Sequence, residues 1–349
     1  MKKKILIISP DGFIVESGIS RVCNNYVKSI SLDCKIDVIY RNGLNFNYPN
    51  TREKKISNKF FFLMYCIYLI LTKKYSTVFI FHINYIVLSF FNLLNKNYIL
   101  IAHGIEVWNK NNFFSNFLLK KKIKHIITVS KFTKKKIRKN LNTNESRIEV
   151  ISPKIDISYF KKQMNQKSYA KKAIPFKKYI LFIGRLASSE KYKGLDELIE
   201  SSVYFKQKIN FIIVGEGSDK KRLQEKYKIY KNKNFEAIFM GKVSDKIKYS
   251  LLENCTASIL CGYGEGFGIS LLESIIFNKK IIASKLDATN EFIIDKNIGI
   301  SVDPRNLIEL SKAITIIYNS TSTSKFDEDF TDKFDISHLK IEIEKFIHF

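Results

Sequence analysis

The sequence lacks several features that mark special classes of protein. Its five cysteines form no Cys-x-x-Cys pair and show no zinc-site spacing, so we expect reduced, apolar side chains and no zinc site. No apolar run reaches the roughly 20 residues of a membrane span, because 60–71 is too short and 78–94 is interrupted by polar residues. The apolar run after the first lysines ends at Pro10, which is typical of a β-strand and not of a signal peptide. These absences favour a cytoplasmic protein.

Acidic residues are scarce in the first half of the chain. Residues 1–170 contain 30 Lys and Arg against 9 Asp and Glu, a surplus of 21, whereas the whole chain has a net charge of +26. Three explanations remain open: attraction to anionic lipid headgroups, binding of nucleic acid, or solvated helix faces in a lysine-rich protein. The apolar run 60–71 also has two possible explanations, because it suits either a membrane-contacting segment or a buried helix.

Short apolar runs alternate with helical segments along the whole chain. In the first half the runs are 5–8, 36–40, 78–81, 98–102, 126–129 and 148–151. In the second half they are 179–183, 211–214, 237–240, 257–260, 280–283 and 299–302. Such runs separated by helices indicate a parallel, doubly wound sheet, and their restart indicates two Rossmann-like α/β domains. A polar stretch at 161–175 separates them, so we place the domains at 1–165 and 166–334, followed by a helical end at 335–349.

A glycine-rich turn lies between a strand-like run and a helical pattern at residues 264–273 (GEGFGISLLE). Its glycines let the backbone approach a ligand closely, and the free N–H groups of a helix start suit a phosphate. Glu265 precedes the helix and Glu273 lies within its first turns, so both carboxylates can accept hydrogen bonds from the hydroxyls of one molecule. This combination is typical of a nucleotide-sugar pocket. A simple loop beside a favourable helix dipole is the alternative.

Two cations follow the first strand of the second half. Arg185 comes directly after that strand, and Lys193 precedes a glycine at the start of the next helical pattern. Arginine offers a fork to two phosphate oxygens and lysine a compact charge, and parallel sheets bind ligands at the carboxyl ends of their strands. The pair could therefore stabilise a departing diphosphate. Lys191 is a competing lysine, and a solvated surface pair is the alternative.

Taken in order, these segments resemble the retaining glycosyltransferases of family 4, which have the two-domain GT-B fold. The match is most specific over 181–292, and weaker matches precede it at 17–18 (SG) and 102–106 (AHGIE). The chain departs from the family pattern at Ser17, where a second glycine is usual, and at 153–154 (PK), where Asn-Gly is usual.

The resemblance implies two Rossmann-like, doubly wound parallel-sheet domains that face a central cleft. The first would bind the acceptor and the second the nucleotide-sugar donor, and the last helix would pack back on the first domain. Glu265 would contact the transferred sugar and Glu273 the ribose hydroxyls. Arg185, Lys193 and His103 would complete the catalytic set. The further positions it implies are Gly18, Gly215, Val243, Gly266, Phe267 and Gly268 for the donor and Glu106 for the acceptor side.

The reaction implied is transfer of a hexose from a nucleotide diphosphate sugar, with UDP slightly favoured over GDP, to a hydroxyl of a glycan or lipid-linked acceptor. The family retains anomeric configuration, works in cell-surface polysaccharide synthesis and usually needs no metal or other cofactor. A nucleotide-sugar epimerase of the same fold is an alternative that would need no acceptor. A basic nucleic-acid-binding protein is a remote one, and we expect no nucleic-acid partner because the basic runs contain few aromatics. We expect the basic first half to associate with an anionic membrane surface at the inner face of the cell membrane.

Overall fold

The computed structural model describes residues 2–13, 17–92, 96–108, 113–141, 145–164, 174–293, 298–320 and 328–347. The chain forms two compact units. The N-terminal unit comprises residues 1–155 and 334–349, and the C-terminal unit comprises residues 156–333. The division therefore falls earlier in the chain than residue 165, where the polar stretch placed it. The reason is that the ring of Phe160 packs against Tyr249 and Phe277, which ties the helix containing Phe160 to the C-terminal unit.

Seven parallel strands form the sheet of the N-terminal unit in the order β3-β2-β1-β4-β5-β6-β7. Their bounds are β1 Lys4–Asp11, β2 Lys35–Asn42, β3 Thr51–Lys55, β4 Thr77–Ile80, β5 Asn97–Ala102, β6 His125–Thr128 and β7 Ile148–Val150. β3 was not predicted, because its sequence TREKK has no apolar run. It lies at the edge of the sheet, where charged side chains are tolerated and block pairing with other chains.

Helices cover both faces of this sheet. Their bounds are α1 Gly18–Ile30, α2 Lys59–Thr72, α3 Ile105–Trp108, α4 Phe113–Lys121 and α5 Lys131–Leu141, with 3-10 helices at Ile83–Phe91 and Glu145–Arg147. In β1, Ile5 and Ile7 belong to one buried cluster, and Leu6 and Ile8 belong to the other. Since successive side chains of a strand point to opposite faces, a strand buried on both faces must be apolar throughout.

The C-terminal unit contains six parallel strands in the order β10-β9-β8-β11-β12-β13. Its strands are β8 Ile180–Ile183, β9 Ile209–Val214, β10 Phe235–Gly241, β11 Ala257–Leu260, β12 Lys280–Ser284 and β13 Gly299–Val302. Its helices are α6 Ile157–Met164, α7 Leu195–Ser201, α8 Lys220–Tyr230, α9 Asp245–Asn254, α10 Ile269–Ile276, α11 Leu307–Asn319 and α12 Glu328–Asp332, with 3-10 helices at Ser188–Lys193, Ser202–Tyr204 and Ala288–Phe292. The first strand of the unit, β8, lies in the middle of the sheet beside β11, so the strand order reverses between these two strands.

The end of the chain returns to the N-terminal unit. A short 3-10 helix, Ile336–His338, leads into α13, Leu339–Glu344. Leu339, Ile343 and Phe346 are buried in the same cluster as Ile5. The side-chain amide of Asn97 donates a hydrogen bond of 2.8 Å to the carbonyl oxygen of Phe346. The terminal segment therefore completes the core of the unit in which the chain begins.

We predict that Phe346→Ala lowers the free energy of unfolding by about 3–5 kcal/mol, because it leaves a cavity where a buried aromatic ring stood. Phe346 is 1% exposed, whereas Ile341, in the same segment, is 65% exposed. Ile341→Ala is the matched control and should change the free energy by less than about 0.5 kcal/mol. Urea unfolding followed by circular dichroism measures both, and equal effects would show that the segment does not contribute to the core.

Candidate active site

The residues singled out in the second half gather at one edge of the C-terminal sheet. Arg185 and Lys193 follow β8, and Glu265 follows β11. These two strands are neighbours in the sheet, and the connections that follow them leave in opposite directions. Such a place is a topological switch point, where open α/β sheets form a ligand-binding crevice outside the carboxyl ends of their strands. Parallel pairing alone therefore brings together groups that are far apart in sequence.

A glycine sets the closest approach between these two strand ends. Gly194 has φ +81°, and a Cβ atom at this position would lie 1.8 Å from the carbonyl oxygen of Cys261. No L-side chain fits there, because its Cβ would overlap backbone and its φ would be strained. The 3-10 helix that ends at Lys193 consequently runs directly against the chain leaving β11.

Lys193 is the centre of an ion cluster at this edge. Its Nζ lies 2.8 Å from Oε2 of Glu265 and 3.6 Å from Oε2 of Glu190. The guanidinium of Arg185 pairs with the other oxygen of Glu190. Glu190 is 7% exposed, whereas the side chain of Arg185 is half exposed. Glu190, which the sequence did not reveal, thus joins Arg185 to Lys193, and Lys193 contacts Glu265 directly.

The two central groups are held in their charged forms. Burial lowers the pKa of Lys193, but the carboxylates of Glu265 and Glu190 outweigh burial and raise that pKa above its ordinary value. Burial likewise raises the pKa of Glu265, while Lys193 and the backbone N–H groups of Phe267 and Gly268 outweigh it and leave the pKa lowered. A charged pair in a desolvated setting exerts a stronger field than the same pair in water.

A second carboxylate fixes the position of Glu265. Asp287 is fully buried and accepts a hydrogen bond of 3.2 Å from the backbone N–H of Glu265. Its other oxygen accepts hydrogen bonds from the N–H and hydroxyl groups of Thr289, at 3.0 and 2.6 Å. Burial, reinforced by the charge of Glu265, raises the pKa of Asp287 to about 7. Sequence reasoning missed Asp287, although its place after β12 at the start of a 3-10 helix was an available signal.

The glycine-rich turn has a different inner arrangement from the one expected. The N–H groups of Phe267 and Gly268, which we expected to face a donor, are directed at the Glu265 carboxylate. The ring of Phe267 packs edge-on against Phe292, with ring centroids 5.2 Å apart. Gly266 precedes this ring in the turn. Glu265 is therefore held from two sides, its carboxylate by N–H groups of the turn and its backbone N–H by Asp287.

Glu273 lies on α10 and is 2% exposed. Its Oε1 is 3.1 Å from Nζ of Lys248 on α9, a buried lysine that the sequence did not single out. The structure therefore places Glu265 in the cluster around Lys193 but pairs Glu273 with a different cation. The two glutamates of the motif have separate partners.

Gly215 and Val243 follow β9 and β10, at the same edge of the sheet. A Cβ atom on Gly215 would lie 1.8 Å from the carbonyl oxygen of Gly184, so the chain after β9 passes directly over the end of β8. Val243 is half-buried and precedes Ser244, whose hydroxyl caps α9. Gly215 thus borders the end of β8, and Val243 borders the start of α9. Residues in such places can form a wall of the same crevice.

In the N-terminal unit, His103 follows β5. Its Nε2 atom is buried and has no hydrogen-bond partner among the described residues. Burial, with a smaller contribution from His82, lowers the pKa of His103 to about 3, against a hydrogen bond to the carbonyl of Phe81. The imidazole is therefore neutral at physiological pH, with an open nitrogen.

Glu106 and Gly18 occupy helix starts in the same unit. The carboxylate of Glu106 accepts a hydrogen bond from the backbone N–H of His103, and burial raises its pKa. It thus braces the turn that carries His103. Gly18 is exposed at the start of α1, where the Ser17 hydroxyl caps the helix.

Residues 165–333 match the family described as glycosyl transferases group 1. The chain is 26% identical over 278 residues to the uncharacterized glycosyltransferase MJ1069 of Methanocaldococcus jannaschii, covering 72% of this chain and 69% of the relative. It is 32% identical over 127 residues to the N,N'-diacetylbacillosaminyl-diphospho-undecaprenol alpha-1,3-N-acetylgalactosaminyltransferase of Campylobacter jejuni, covering 36% of this chain and 32% of that enzyme.

Among solved structures, HepE of Anabaena in complex with UDP and glucose is similar to this chain. The TM-score is 0.79 at 14% identity, and the match covers 98% of each chain. At this identity the likeness concerns the fold alone. Together with the two parallel sheets, it confirms the prediction of two Rossmann-like domains of the GT-B class.

We predict that His103 stays neutral from pH 8 down to about pH 4, because its folded-state pKa is about 3. The unfolded value is about 6.5, so the stability that His103 contributes is complete above about pH 6.5 and is lost as pH falls towards 3. The ring ¹⁵N shifts of labelled histidine, assigned by comparison with His103→Gln, report the protonation directly. A midpoint near 6.5 for this residue would contradict the prediction.

Proposed function

The C-terminal domain of this chain belongs to the glycosyl transferases group 1 family and the chain is a glycosyltransferase; from this premise we propose a retaining hexosyltransferase of family 4. The donor is a nucleotide diphosphate sugar, with UDP favoured over GDP, and the acceptor is a hydroxyl of a glycan or lipid-linked intermediate. No metal or other cofactor takes part in this proposal. The observation that carries it is the ion cluster around Lys193 at the switch point of the donor-side sheet.

The cluster matches the charges that develop when a glycosidic phosphate bond breaks. The bond between the anomeric carbon and the phosphate oxygen cleaves, and its electron pair leaves with the diphosphate. Arg185 and Lys193 stabilise that growing negative charge, while the carboxylate of Glu265 faces the sugar, whose ring gains positive charge in an oxocarbenium-like state. Because the cluster is already in place, little reorganisation is needed as the charges separate.

The acceptor hydroxyl forms the new bond to the anomeric carbon on the face that the diphosphate leaves, and its proton passes to a phosphate oxygen of the leaving group. This route retains the anomeric configuration and requires no protein nucleophile. His103, being neutral with Nε2 open, can donate to or accept from a sugar hydroxyl. In this proposal Glu106 serves the acceptor side by bracing the turn that carries His103.

The remaining contacts hold the donor. Glu273 binds the two ribose hydroxyls with one of its oxygens while Lys248 neutralises its charge. The further positions proposed to line the donor through backbone groups are Gly18, Gly215, Val243, Gly266, Phe267 and Gly268. For the N–H groups of Phe267 and Gly268, this requires that the Glu265 carboxylate turn from them towards the sugar.

The acceptor class is supported by the name of the Campylobacter relative, which describes a sugar carried on diphospho-undecaprenol. A lipid-linked acceptor in cell-surface polysaccharide synthesis places the enzyme at the inner face of the cell membrane. The basic surplus of the first half agrees with that location, since anionic headgroups attract lysine-rich surfaces.

We predict that the protein slowly hydrolyses one nucleotide sugar of a panel of UDP-, GDP- and ADP-hexoses when no acceptor is supplied, since water can take the place of the acceptor hydroxyl. Chromatography of the nucleotides measures release of the nucleoside diphosphate and identifies the donor. Conversion of a donor into its epimer, with no nucleoside diphosphate released, would instead show an epimerase. Inertness towards every donor would count against the proposal.

We predict that Lys193→Ala lowers kcat/KM for the preferred donor by about 10²–10³-fold, the loss typical of removing one transition-state charge partner. Lys191, two residues earlier and exposed, provides the matched control, and Lys191→Ala should stay within about threefold of the original protein. Arg185→Ala is a second test that avoids the core, because the Arg185 side chain is half exposed. Thermal unfolding of each variant separates lost chemistry from lost stability, and equal losses in the two lysine variants would refute the assignment.

A further inference from the structure

Helix α2 of the N-terminal unit is apolar on both of its sides. Its sequence from Lys59 to Thr72 is KFFFLMYCIYLILT. Phe62, Cys66, Leu69 and Ile70 are buried in the core beneath it. A helix that is hydrophobic all round is normally buried all round, so its solvent side requires an explanation.

The solvent side carries a continuous row of large side chains. The α2 stripe is defined by Phe60, Phe61, Met64, Tyr68 and Leu71, all of which are exposed. At 3.6 residues per turn these five positions fall within roughly 100° of one another, opposite the buried side. Phe60 and Phe61 are 66% and 63% exposed. Single exposed apolar residues are ordinary, but a row of five on one helix face marks an interaction surface.

A second exposed aromatic group lies on elements next to α2. The 3-10 helix Ile83–Phe91 contacts both α2 and α4. Its Phe90 lies 6.5 Å from Phe114 of α4, measured between ring centroids, and both rings are about half exposed. α4 ends in the exposed residues Lys120 and Lys121. α4 therefore repeats the combination found on α2, in which exposed aromatic rings are followed by lysines.

The charge around the α2 stripe has one sign. Lys59 begins the helix, and Lys73 and Lys74 follow its end, all three exposed. The sequence contains no Asp or Glu from residue 54 to residue 105. Exposed rings flanked by lysines, in a stretch of sequence without acids, fit a partner surface that is apolar inside and negatively charged at its boundary.

We propose that the α2 stripe lies in the headgroup region of an anionic membrane, with the helix parallel to the surface and the flanking lysines on lipid phosphates. At 14 residues the helix is about 21 Å long, and no helix among the described residues is long and apolar enough to cross a bilayer. Apolar insertion and attraction to anionic headgroups add to one another in such interfacial helices. The inference deepens the proposed function by naming the surface that meets a membrane carrying the acceptor.

The same lysines argue against a second copy of the chain as the partner of the α2 stripe. Two copies joined through this face would bring Lys59, Lys73 and Lys74 of each against those of the other, with no carboxylate from residues 54–105 between them. Like charges brought together at an interface cost free energy, whereas anionic lipid supplies the missing sign.

The test is flotation of the full-length protein with extruded vesicles of phosphatidylglycerol and phosphatidylcholine, and with phosphatidylcholine alone. We expect binding to the anionic vesicles that weakens as salt rises from about 50 to about 500 mM, because screening shortens the reach of the lysines. The stripe variant, with Phe60→Ser, Phe61→Ser and Met64→Ser, should lower the partition coefficient by roughly tenfold or more. Replacing Lys59, Lys73 and Lys74 by Gln should lower it about fivefold per lysine on anionic vesicles.

Ile229→Ser is the control, since Ile229 is a highly exposed apolar residue on α8 of the other unit, and it should leave vesicle binding unchanged. The proposal is overturned by absent or salt-independent binding, or by a stripe variant that binds as the original does. It is also overturned if the original protein dimerises without lipid and the stripe variant does not. Donor hydrolysis in solution is measured on the same proteins, so a failure of the transferase assignment is distinguishable from a failure of membrane binding.

Discussion

The contact between Lys193 and Glu265 is the constraint on which the rest of the candidate site depends. The two residues are 72 positions apart in the sequence, yet their charged atoms are 2.8 Å apart. Three features make that contact possible: the adjacency of β8 and β11, the glycine at position 194, and the turn that aims Glu265 inward. A buried ion pair is poor evidence for stability, since desolvation offsets much of the attraction. Its presence at a switch point is better explained by the field it creates there.

The surroundings of the pair keep both charges in place. Glu190 links Lys193 to Arg185, and Asp287 holds the backbone of Glu265. With two cations and two carboxylates, the cluster around Lys193 is close to neutral as a whole, although each member is strongly polar. Such a cluster can meet separating charges of both signs without a net charge that would repel either end of the substrate. A pair of cations alone would bind a diphosphate tightly both before and after cleavage, which lowers KM without raising kcat.

The strands and several site residues were predicted from the sequence, whereas one edge strand and two carboxylates were not. The apolar runs predicted the strands because strands buried on both faces must be apolar throughout, and β3 was missed because an edge strand need not be. Arg185 was predicted by its place after a strand and Glu265 by the glycine-rich turn before a helix. Lys193 was preferred to Lys191 through the resemblance, because the family's lysine directly precedes the glycine. Glu190 and Asp287 were not, because a carboxylate's role as a partner depends on three-dimensional neighbours that no local pattern records. For the same reason the partner of Glu273 proved to be Lys248, on a helix that carried no motif.

The uneven distribution of charge along the chain has a physical explanation in these terms. In the C-terminal unit the basic surplus is smaller, with 30 Lys and Arg against 22 Asp and Glu over residues 156–333. Many of these groups are paired, as in the contacts of Arg222 with Asp196 and Asp219. A donor site needs such balance, because an uncompensated buried charge is costly and a strongly basic pocket would retain its diphosphate product. In the first half a surplus of lysine surrounds exposed aromatic rings instead. Charges that stay in water carry little desolvation cost, so they can remain unbalanced at a surface whose partner supplies the opposite sign. The charge balance of each half thus follows from the partner of its charged groups. In the C-terminal unit the partners are other groups of the protein, and in the first half the proposed partner is an anionic membrane surface.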